Sequence, residues 1–359
     1  MNFGGIIGEW YKKNKRELPW RLTRDPYRIW LSEVILQQTR VNQGLQYYNA
    51  FVQAFPDVHA LAAASEEKVL RLWQGLGYYT RARNLLHTAR VVSNEMGGHF
   101  PDTFEGLNGL KGVGEYTASA IASICYGEAR AVVDGNVSRV IARLYGVEEA
   151  INSKPGEKII RDLAGNLLME EGGTDPGVHN QAMMEFGALQ CVPLSPDCGS
   201  CPAGAYCAAF GSGRVDELPL KRPKKKPVHR WMYFFVIVSG GRVLLEKRGN
   251  RDIWRSLYHF PALESPVPLK PAQLYSNKIL EALAIPGNAG STLVKEPSQE
   301  VLHLLSHRTI HAAFIPVRIK DLPHTLPQGW VAVDADRLDS YPVPRLMERY
   351  MQSVNFSYL

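Results

Sequence analysis

Four of the five cysteines, Cys191, Cys198, Cys201 and Cys207, fall in one short window with the spacing C-x6-C-x2-C-x5-C. Pro193, Pro196, Gly199 and Pro202 break up the intervening chain. Four thiolates at such short spacing in a reducing compartment make a metal site. Zinc is the generic occupant, and a cubane iron–sulfur cluster is its rival. Zinc ribbons carry two C-x2-C pairs, whereas this chain carries one, which tilts the choice toward iron–sulfur. Cys125 falls on the apolar stripe of a helix and reads as a buried structural thiol.

Two carboxylates form the second chemical feature. Glu33 sits among Trp30, Val34 and Ile35, where partial burial would raise its pKa and keep a proton available. Asp134 begins a helix at Asp134-Gly135-Asn136, where backbone donors would keep it ionised. Carboxylates in such unlike surroundings can divide the roles of proton donor and anion between them. Plainer readings exist for both: the solvated edge of a helix for Glu33 and an ordinary N-cap for Asp134.

The stretch that must position them is Leu110–Asn136. Gly112 and Gly114 flank Val113 and let the backbone turn tightly, and a helix follows at once. Free N–H groups and the positive helix end then face outward together, as a phosphate site needs, although a plain helix-turn-helix corner has the same pattern. Residues 1 to about 210 read as almost wholly helical, with one helix over Tyr27–Val41 placing Trp30, Leu31, Val34, Ile35 and Gln38 on a shared face. Breaks fall at Phe55-Pro56-Asp57, Gly97-Gly98, Phe100-Pro101-Asp102 and Pro155-Gly156.

Beyond Gly211 the composition shifts to a basic, proline-broken linker, Pro219 to Pro227. The period then becomes that of strands: Trp231–Val238, a Gly240-Gly241 turn and Arg242–Lys247 read as a hairpin. Further strands are expected at Ala312–Ile319 and Gly329–Val333, with helices at Pro271–Leu283 and Pro344–Val354. The 359 residues therefore make two or three domains. A net charge of +6 favours polyanionic partners, weakly by itself. No run of 18 apolar residues and no signal-peptide core is present, so a cytoplasmic or nucleoid location and no membrane partner are expected.

The Gly-Val-Gly hairpin, the aspartate about twenty residues on and the cysteine tail together resemble the helix-hairpin-helix DNA glycosylases. The match narrows to the MutY-type adenine DNA glycosylases through Leu18-Pro19-Trp20-Arg21, Trp30–Thr39, Trp73-Gln74-Gly75-Leu76-Gly77-Tyr78-Tyr79, Val133–Val137 and Asn180–Glu185. It covers the whole chain, densely through residue 210 and more loosely beyond.

This resemblance implies a mainly α helix-hairpin-helix glycosylase core with a four-cysteine iron–sulfur loop, plus a C-terminal α+β Nudix-like domain. It places the cluster-bearing half in residues 1–20 and 128–210, a six-helix half in 21–127, a basic linker in 211–229 and a recognition domain in 230–359. The implied substrate is double-stranded DNA with adenine opposite 8-oxoguanine or guanine, handled by a monomer with a [4Fe-4S] cluster on Cys191, Cys198, Cys201 and Cys207. Glu33 would protonate adenine at N7 and later help activate water, Asp134 would support the sugar cation or bond to it transiently, and Tyr116 and Asn136 would orient both. Trp20, Arg21, Gln181 and Glu185 would surround the extruded base, the last two being one helical turn apart. Gln38, Thr39, Leu76 and Tyr78 would fill the hole and meet the opposite base, with Gly112 and Gly114 at the phosphates.

In the related bifunctional enzymes a lysine stands where this chain has Tyr116. A phenol cannot form a Schiff base, so no concerted strand scission is expected. The family's 8-oxoguanine reader is a Phe-Ser-His loop, and here Leu305 precedes Ser306 and His307. The glutamate-rich helix that Nudix hydrolases use for magnesium has no counterpart between Arg230 and Leu359. The second domain therefore reads as a recognition module. A thymine mismatch glycosylase and a non-catalytic damage-binding scaffold are the alternatives.

Overall fold

Side-chain caps start six of the described helices in the first 210 residues. Asp25 accepts from Tyr27 N, Asp57 from Ala60 N, Ser65 from Lys68 N, Thr103 from Gly106 N, Asp134 from Asn136 and Val137 N, and Asp175 from Gly177 and Val178 N. Each satisfies donors that a helix end leaves open. The helices are α1 (Phe3–Asn14), α2 (Pro26–Leu36), α3 (Val41–Ala54), α4 (Val58–Ala62), α5 (Glu66–Leu72), α6 (Thr80–Glu95), α7 (Phe104–Asn108), α8 (Glu115–Tyr126), α9 (Gly135–Tyr145), α10 (Lys154–Glu170), α11 (Pro176–Leu189) and α12 (Ala208–Gly211). The structure, a computed structural model, describes residues 3–170, 175–223, 226–249, 252–275, 278–282, 293–305 and 307–356.

The chain divides into two compact units, Met1–Ala64 with Asn84–Pro223, and Ser65–Arg83 with Lys224–Leu359. Residues 65–83, expected in the 21–127 half, thus group with the C-terminal domain. Tyr79 Oη donates to Val343 O at 3.2 Å, Arg83 Nη1 to Arg255 O at 2.8 Å and Lys247 Nζ to Glu67 at 3.1 Å. The basic linker begins as a strap on the first unit: Ile151 N donates to Leu220 O at 3.0 Å and Arg222 N to Asn152 at 2.7 Å.

In the first unit, α1, α9, α10 and α11 close over Phe3, Ile7, Val140, Ile141, Leu167, Met183 and Phe186. The expected single helix over Tyr27–Val41 is interrupted. α2 ends at Leu36, and α3 begins only at Val41. Gln38 between them takes φ +57°, so it leaves the helical face it was assigned. The left-handed conformation turns the chain out of the helix and puts Gln38 in solvent.

Among the described residues, the second unit is built on one mixed sheet of eight strands: β1 (Val228–Ser239), β2 (Arg242–Lys247), β3 (Tyr258–His259), β4 (Ala262–Ser265), β5 (Leu293–Val294), β6 (Val301–Leu304), β7 (Arg308–Arg318) and β8 (Trp330–Asp334). The expected hairpin forms, with Val238 opposite Val243 and both Gly240 and Gly241 at positive φ. β1 runs parallel to β7 with Trp231 beside His311, and the near half of β1 also pairs with β4. α13 (Pro271–Tyr275) and α14 (Lys278–Glu281) occupy the stretch expected as one helix, whose last residue, Leu283, lies outside the described residues. α15 (Arg345–Ser353) closes the fold. No described helix is long and apolar enough to cross a membrane.

Candidate active site

Glu33 lies on α2 at 7% exposure, two turns after the Asp25 cap. Its surroundings decide its charge. Burial pushes the carboxyl up to about 7, the hydrogen bond from the Tyr116 phenol pulls it partly back, and the nearby Asp134 carboxylate raises it again. Tyr116 comes from the first turn of α8, just past Gly112 at φ +81°. Gly112 is packed so closely that a Cβ would lie 2.6 Å from the Asn84 Cβ, so it serves both the turn and the contact. The Tyr116 hydroxyl also lies 3.4 Å from Met184 Sδ, and burial beside the two acids raises its pKa well above that of a free phenol.

Asp134 caps α9. Its Oδ1 accepts from Asn136 N at 2.8 Å and Val137 N at 2.7 Å, and its Oδ2 accepts from Asn136 Nδ2 at 2.8 Å. These donors favour the anion, as the sequence led us to expect, yet burial outweighs them and the net displacement is upward. Tyr116 and Asp134 wall a cavity of about 330 Å³ that continues to Ser119, Ser138, Glu157 and Arg161.

A second buried carboxyl has the opposite fate. Glu185 on α11 is 1% exposed and accepts from the Arg16 backbone N (2.9 Å), Arg16 Nε (2.9 Å) and Nη2 (2.5 Å), and Arg21 Nη1 (2.8 Å) and Nη2 (2.7 Å). Burial alone would raise it, but the two guanidinium groups hold it down at about 2. With both oxygens saturated, Glu185 anchors arginines and has no lone pair to spare for a base. Arg21, also felt by Glu33, is the member of this group that extends toward the acid. Trp20 is 6% exposed and packs edge-on to Tyr48 at 5.0 Å, so it is a wall of the core as much as of any pocket. Gln181, one turn before Glu185, accepts from Tyr11 Oη at 2.9 Å.

Glu33, Tyr116, Asp134, Asn136, Trp20, Arg21, Gln181, Glu185, Gln38, Thr39, Gly112 and Gly114 all belong to the first unit. Leu76, Tyr78 and His307 belong to the second, and Ser306 lies outside the described residues. Tyr78 stands at φ +48° between Gly77 and Tyr79, 49% exposed, while Leu76 is buried at 8%. Arg81 donates to the carbonyls of Leu76 and Gly77 and lies over Trp73, bracing the loop.

Cys191, Cys198, Cys201 and Cys207 line one cavity together with Arg143, Phe186 and Phe210. Arg143 Nη1 lies 3.5 Å from Cys191 Sγ and donates to Val192 O at 2.7 Å, while its Nη2 donates to Pro193 O at 3.0 Å. Among the described residues no three ligand-type side chains close on a point that would grip a single ion. The thiols ring a space instead, and burial pushes Cys201 up to about 11, as for uncoordinated sulfurs. Arg139 joins this loop to the acid: its Nη2 donates to Asn136 Oδ1 at 2.9 Å and its Nε to Cys191 O at 2.7 Å. Cys125, expected to be buried, is only half-buried, and its thiol is pushed up to about 12, which makes it a poor nucleophile.

Arg16, Tyr11 and Arg139 escaped the sequence reading. Arg16 lies in a basic cluster, Lys12 to Arg16, that looks like a solvated helix end, and Arg139 follows the apolar pattern of α9. The one available signal was the isolation of Glu185 on a mostly apolar helix, which requires a cationic partner from elsewhere.

Two family models match the chain. The one described as HhH-GPD superfamily base excision DNA repair protein matches residues 31–165, and a NUDIX domain matches residues 232–353. An adenine DNA glycosylase of Buchnera aphidicola subsp. Baizongia pistaciae is 32% identical over 317 residues, covering 86% of this chain and 84% of its own. An adenine DNA glycosylase of Homo sapiens is 45% identical over 362 residues, 85% of this chain and 65% of its own. Among solved structures, a thermostable thymine-DNA glycosylase superposes with a TM-score of 0.54 at 29% identity, covering 58% of this chain and 95% of that one.

Proposed function

The chain belongs to the adenine DNA glycosylases, and from that membership we propose that it removes adenine mispaired with 8-oxoguanine or guanine from duplex DNA, stopping at the abasic site. The single observation that carries this reading is Glu33, a carboxyl poised at about 7 beside the capped Asp134. A general acid works best when its pKa lies near the working pH. The second unit, alike in pattern to a NUDIX domain, favours this reading over thymine excision, since the thymine-DNA glycosylase matches only 58% of the chain.

Adenine must leave the stack before its glycosidic bond is accessible. The protonated Glu33 gives its proton to N7. The C1′–N9 bond then breaks, its electron pair passing to the protonated base, which leaves neutral, and Asp134 supports the positive sugar. Water adds at C1′ and its proton returns to Glu33, restoring the acid. Asn136 holds Asp134 Oδ2, and Tyr116 holds Glu33. Having no amine at position 116, the enzyme leaves an intact abasic strand.

Tyr78 supplies an exposed aromatic ring on a loop braced by Arg81, suited to occupy the vacated stack. Gln38 and Thr39 lie on the turn after α2, and His307 with Ser306 would meet the opposite base. Gly112 and Gly114 would admit a phosphate at the start of α8. In this reading a monomer acts on duplex DNA.

The cysteine loop fits an iron–sulfur cluster better than zinc. Cys191, Cys198, Cys201 and Cys207 line one cavity, and their spacing, with a single C-x2-C pair in place of a zinc ribbon's two, suits a cubane cluster. Cys191, Cys198, Cys201 and Cys207 would hold it. When bound it would supply order to the loop that Arg139 and Arg143 tie to α9. A visible absorption band near the blue end from the purified protein supports this assignment, and a colourless zinc-loaded protein overturns it.

The decisive experiment is an end-labelled duplex with adenine opposite 8-oxoguanine, resolved with and without alkali. Breakage only after alkali is expected. Breakage without alkali overturns the Tyr116 argument, and none at all favours a binding scaffold.

A further inference from the structure

The segment that delivers Asp134 has no regular structure of its own. α8 ends at Tyr126, its cap Gly127 takes φ +71°, and α9 begins only at Gly135. No helix or ladder covers residues 130–132, so their backbone groups need other partners. Asn180 on α11 supplies them. Its Oδ1 accepts from Val132 N at 2.9 Å, and its Nδ2 donates to Arg130 O at 2.7 Å and to Ser123 Oγ at 2.9 Å.

The orientation of this amide is fixed by its partners. A backbone N–H only donates and a backbone carbonyl only accepts, so Oδ1 and Nδ2 cannot exchange. Ser123 Oγ gives its own proton to Ser119 O at 2.7 Å, which leaves a lone pair for Asn180 Nδ2. Asn180 and Ser123 are 1% and 0% exposed, so bulk water does not compete for these bonds.

The three contacts tie together the elements that hold the acid pair. Ser123 lies on α8, whose first turn carries Tyr116 against Glu33, and residues 130–132 lead directly into Asp134. Asn136 and Val137 fix the Asp134 carboxylate on the first turn of its own helix. Asn180 fixes where that helix start stands relative to α8.

Resting on the adenine-excision reading above, we propose that Asn180 is a positioning residue for the chemical step: its amide sets the separation between Asp134 and the Glu33–Tyr116 pair. The effect passes through the backbone at 130–132, without contact to the base or the reacting atoms.

The test is single-turnover release of adenine from a duplex with adenine opposite 8-oxoguanine, followed from pH 6 to pH 8. Asn180→Ala removes all three hydrogen bonds at once. A shift of about 1 Å in a catalytic group lowers a rate by up to about a hundredfold, so the rate constant at pH 6 should fall by about tenfold or more. Duplex affinity, measured in the Glu33→Gln background, should stay at its value without the Asn180 change. A merely loosened fold would leave fewer active molecules, lowering the amplitude of release and not its rate constant.

The pH profile gives the second readout. Glu33 is faced by Tyr116, Asp134 and Arg21, and the Asp134 carboxylate raises its pKa. With Asp134 farther away that push weakens, and the acid form is lost at lower pH. The rate at pH 8 divided by the rate at pH 6 should therefore fall by about twofold relative to wild type. Ser123→Ala keeps both backbone bonds of Asn180 and should lower the rate by about threefold, the scale of one net hydrogen bond.

An unchanged rate constant in Asn180→Ala, or a slower one with the pH ratio unmoved or raised, overturns the proposal alone. So does a loss of duplex affinity. A wild-type protein that releases adenine opposite neither 8-oxoguanine nor guanine overturns the excision reading, and the proposal with it. If Asn180→Ala does not fold, Ser123→Ala decides: its rate constant must fall and its pH ratio must move the same way.

Discussion

Glu33 and Glu185 are both glutamates on helices of the same unit, 7% and 1% exposed, yet one is held at about 7 and the other at about 2. Burial pushes both in the same direction. The difference lies in the partners. Glu185 accepts five hydrogen bonds from Arg16 and Arg21, whereas Glu33 has a phenol on one side and another carboxylate, Asp134, on the other. Depth in the protein does not by itself produce a general acid; depth without a directly hydrogen-bonded cation does. The same helical frame thus holds one carboxyl to deliver a proton and another to hold arginines.

The largest effect that could break this comparison is the loss of the proton donor. Glu33→Gln keeps the shape and removes the transferable proton, so adenine release should fall by about a thousandfold or more while duplex binding persists. Excision above about a tenth of wild type would show that Glu33 is not the acid. The matching change at the other carboxyl, Glu185→Gln, strikes folding first. It leaves Arg16 and Arg21 facing a neutral amide in a buried site, at a cost of about 3 kcal/mol, read as a lower denaturant midpoint. A midpoint equal to wild type would mean that the arginines find other acceptors.

How much of this contrast the sequence carried follows from how local each cause is. Asp134 as a cap, the Gly-Val-Gly turn and the β1–β2 hairpin are set by residues adjacent in the chain, and each forms where expected. The early end of α2 was less legible, because positive φ at a glutamine has no sequence mark. The short strands β3 to β6 were missed since their pairing comes from distant partners and not from alternation. Among site residues, the acid pair was readable from apolar neighbours and a cap. Glu185 was read as a pocket group, yet its saturation by Arg16 could not be foreseen, since those two residues are 169 positions apart. The downward pull of the caps on Asp134 was also readable, but not the burial that outweighs it.

The two carboxyls should also respond to pH with opposite sign. Glu33 has a folded pKa above its ordinary 4.5, so its contribution to stability is complete below 4.5 and lost as pH rises through about 7. Glu185 has a folded pKa below 4.5, so its contribution is present above 4.5 and lost as pH falls through about 2. Glu33→Gln should therefore raise the melting temperature at pH 8, by an amount equivalent to at most about 3 kcal/mol, and leave it unchanged at pH 4. An equal gain at both values would mean that packing and not charge is responsible.

The smallest effect tests the one hydrogen bond that restrains Glu33. The Tyr116 phenol favours the ionised carboxylate, so removing its hydroxyl must raise the Glu33 pKa further. Above about pH 7 the wild-type excision rate should drop tenfold per unit as the acid form is lost. In Tyr116→Phe that limb should move to higher pH, while the plateau at low pH falls because the carboxyl is no longer oriented. The absolute rates mix these two consequences, but their ratio separates them. The rate at pH 8 divided by the rate at pH 6 should rise by about threefold relative to wild type, the scale of one net hydrogen bond. A ratio that falls would place the phenol's proton on Met184 Sδ, 3.4 Å away, and leave the low-dielectric setting of Glu33 to burial and Asp134 alone.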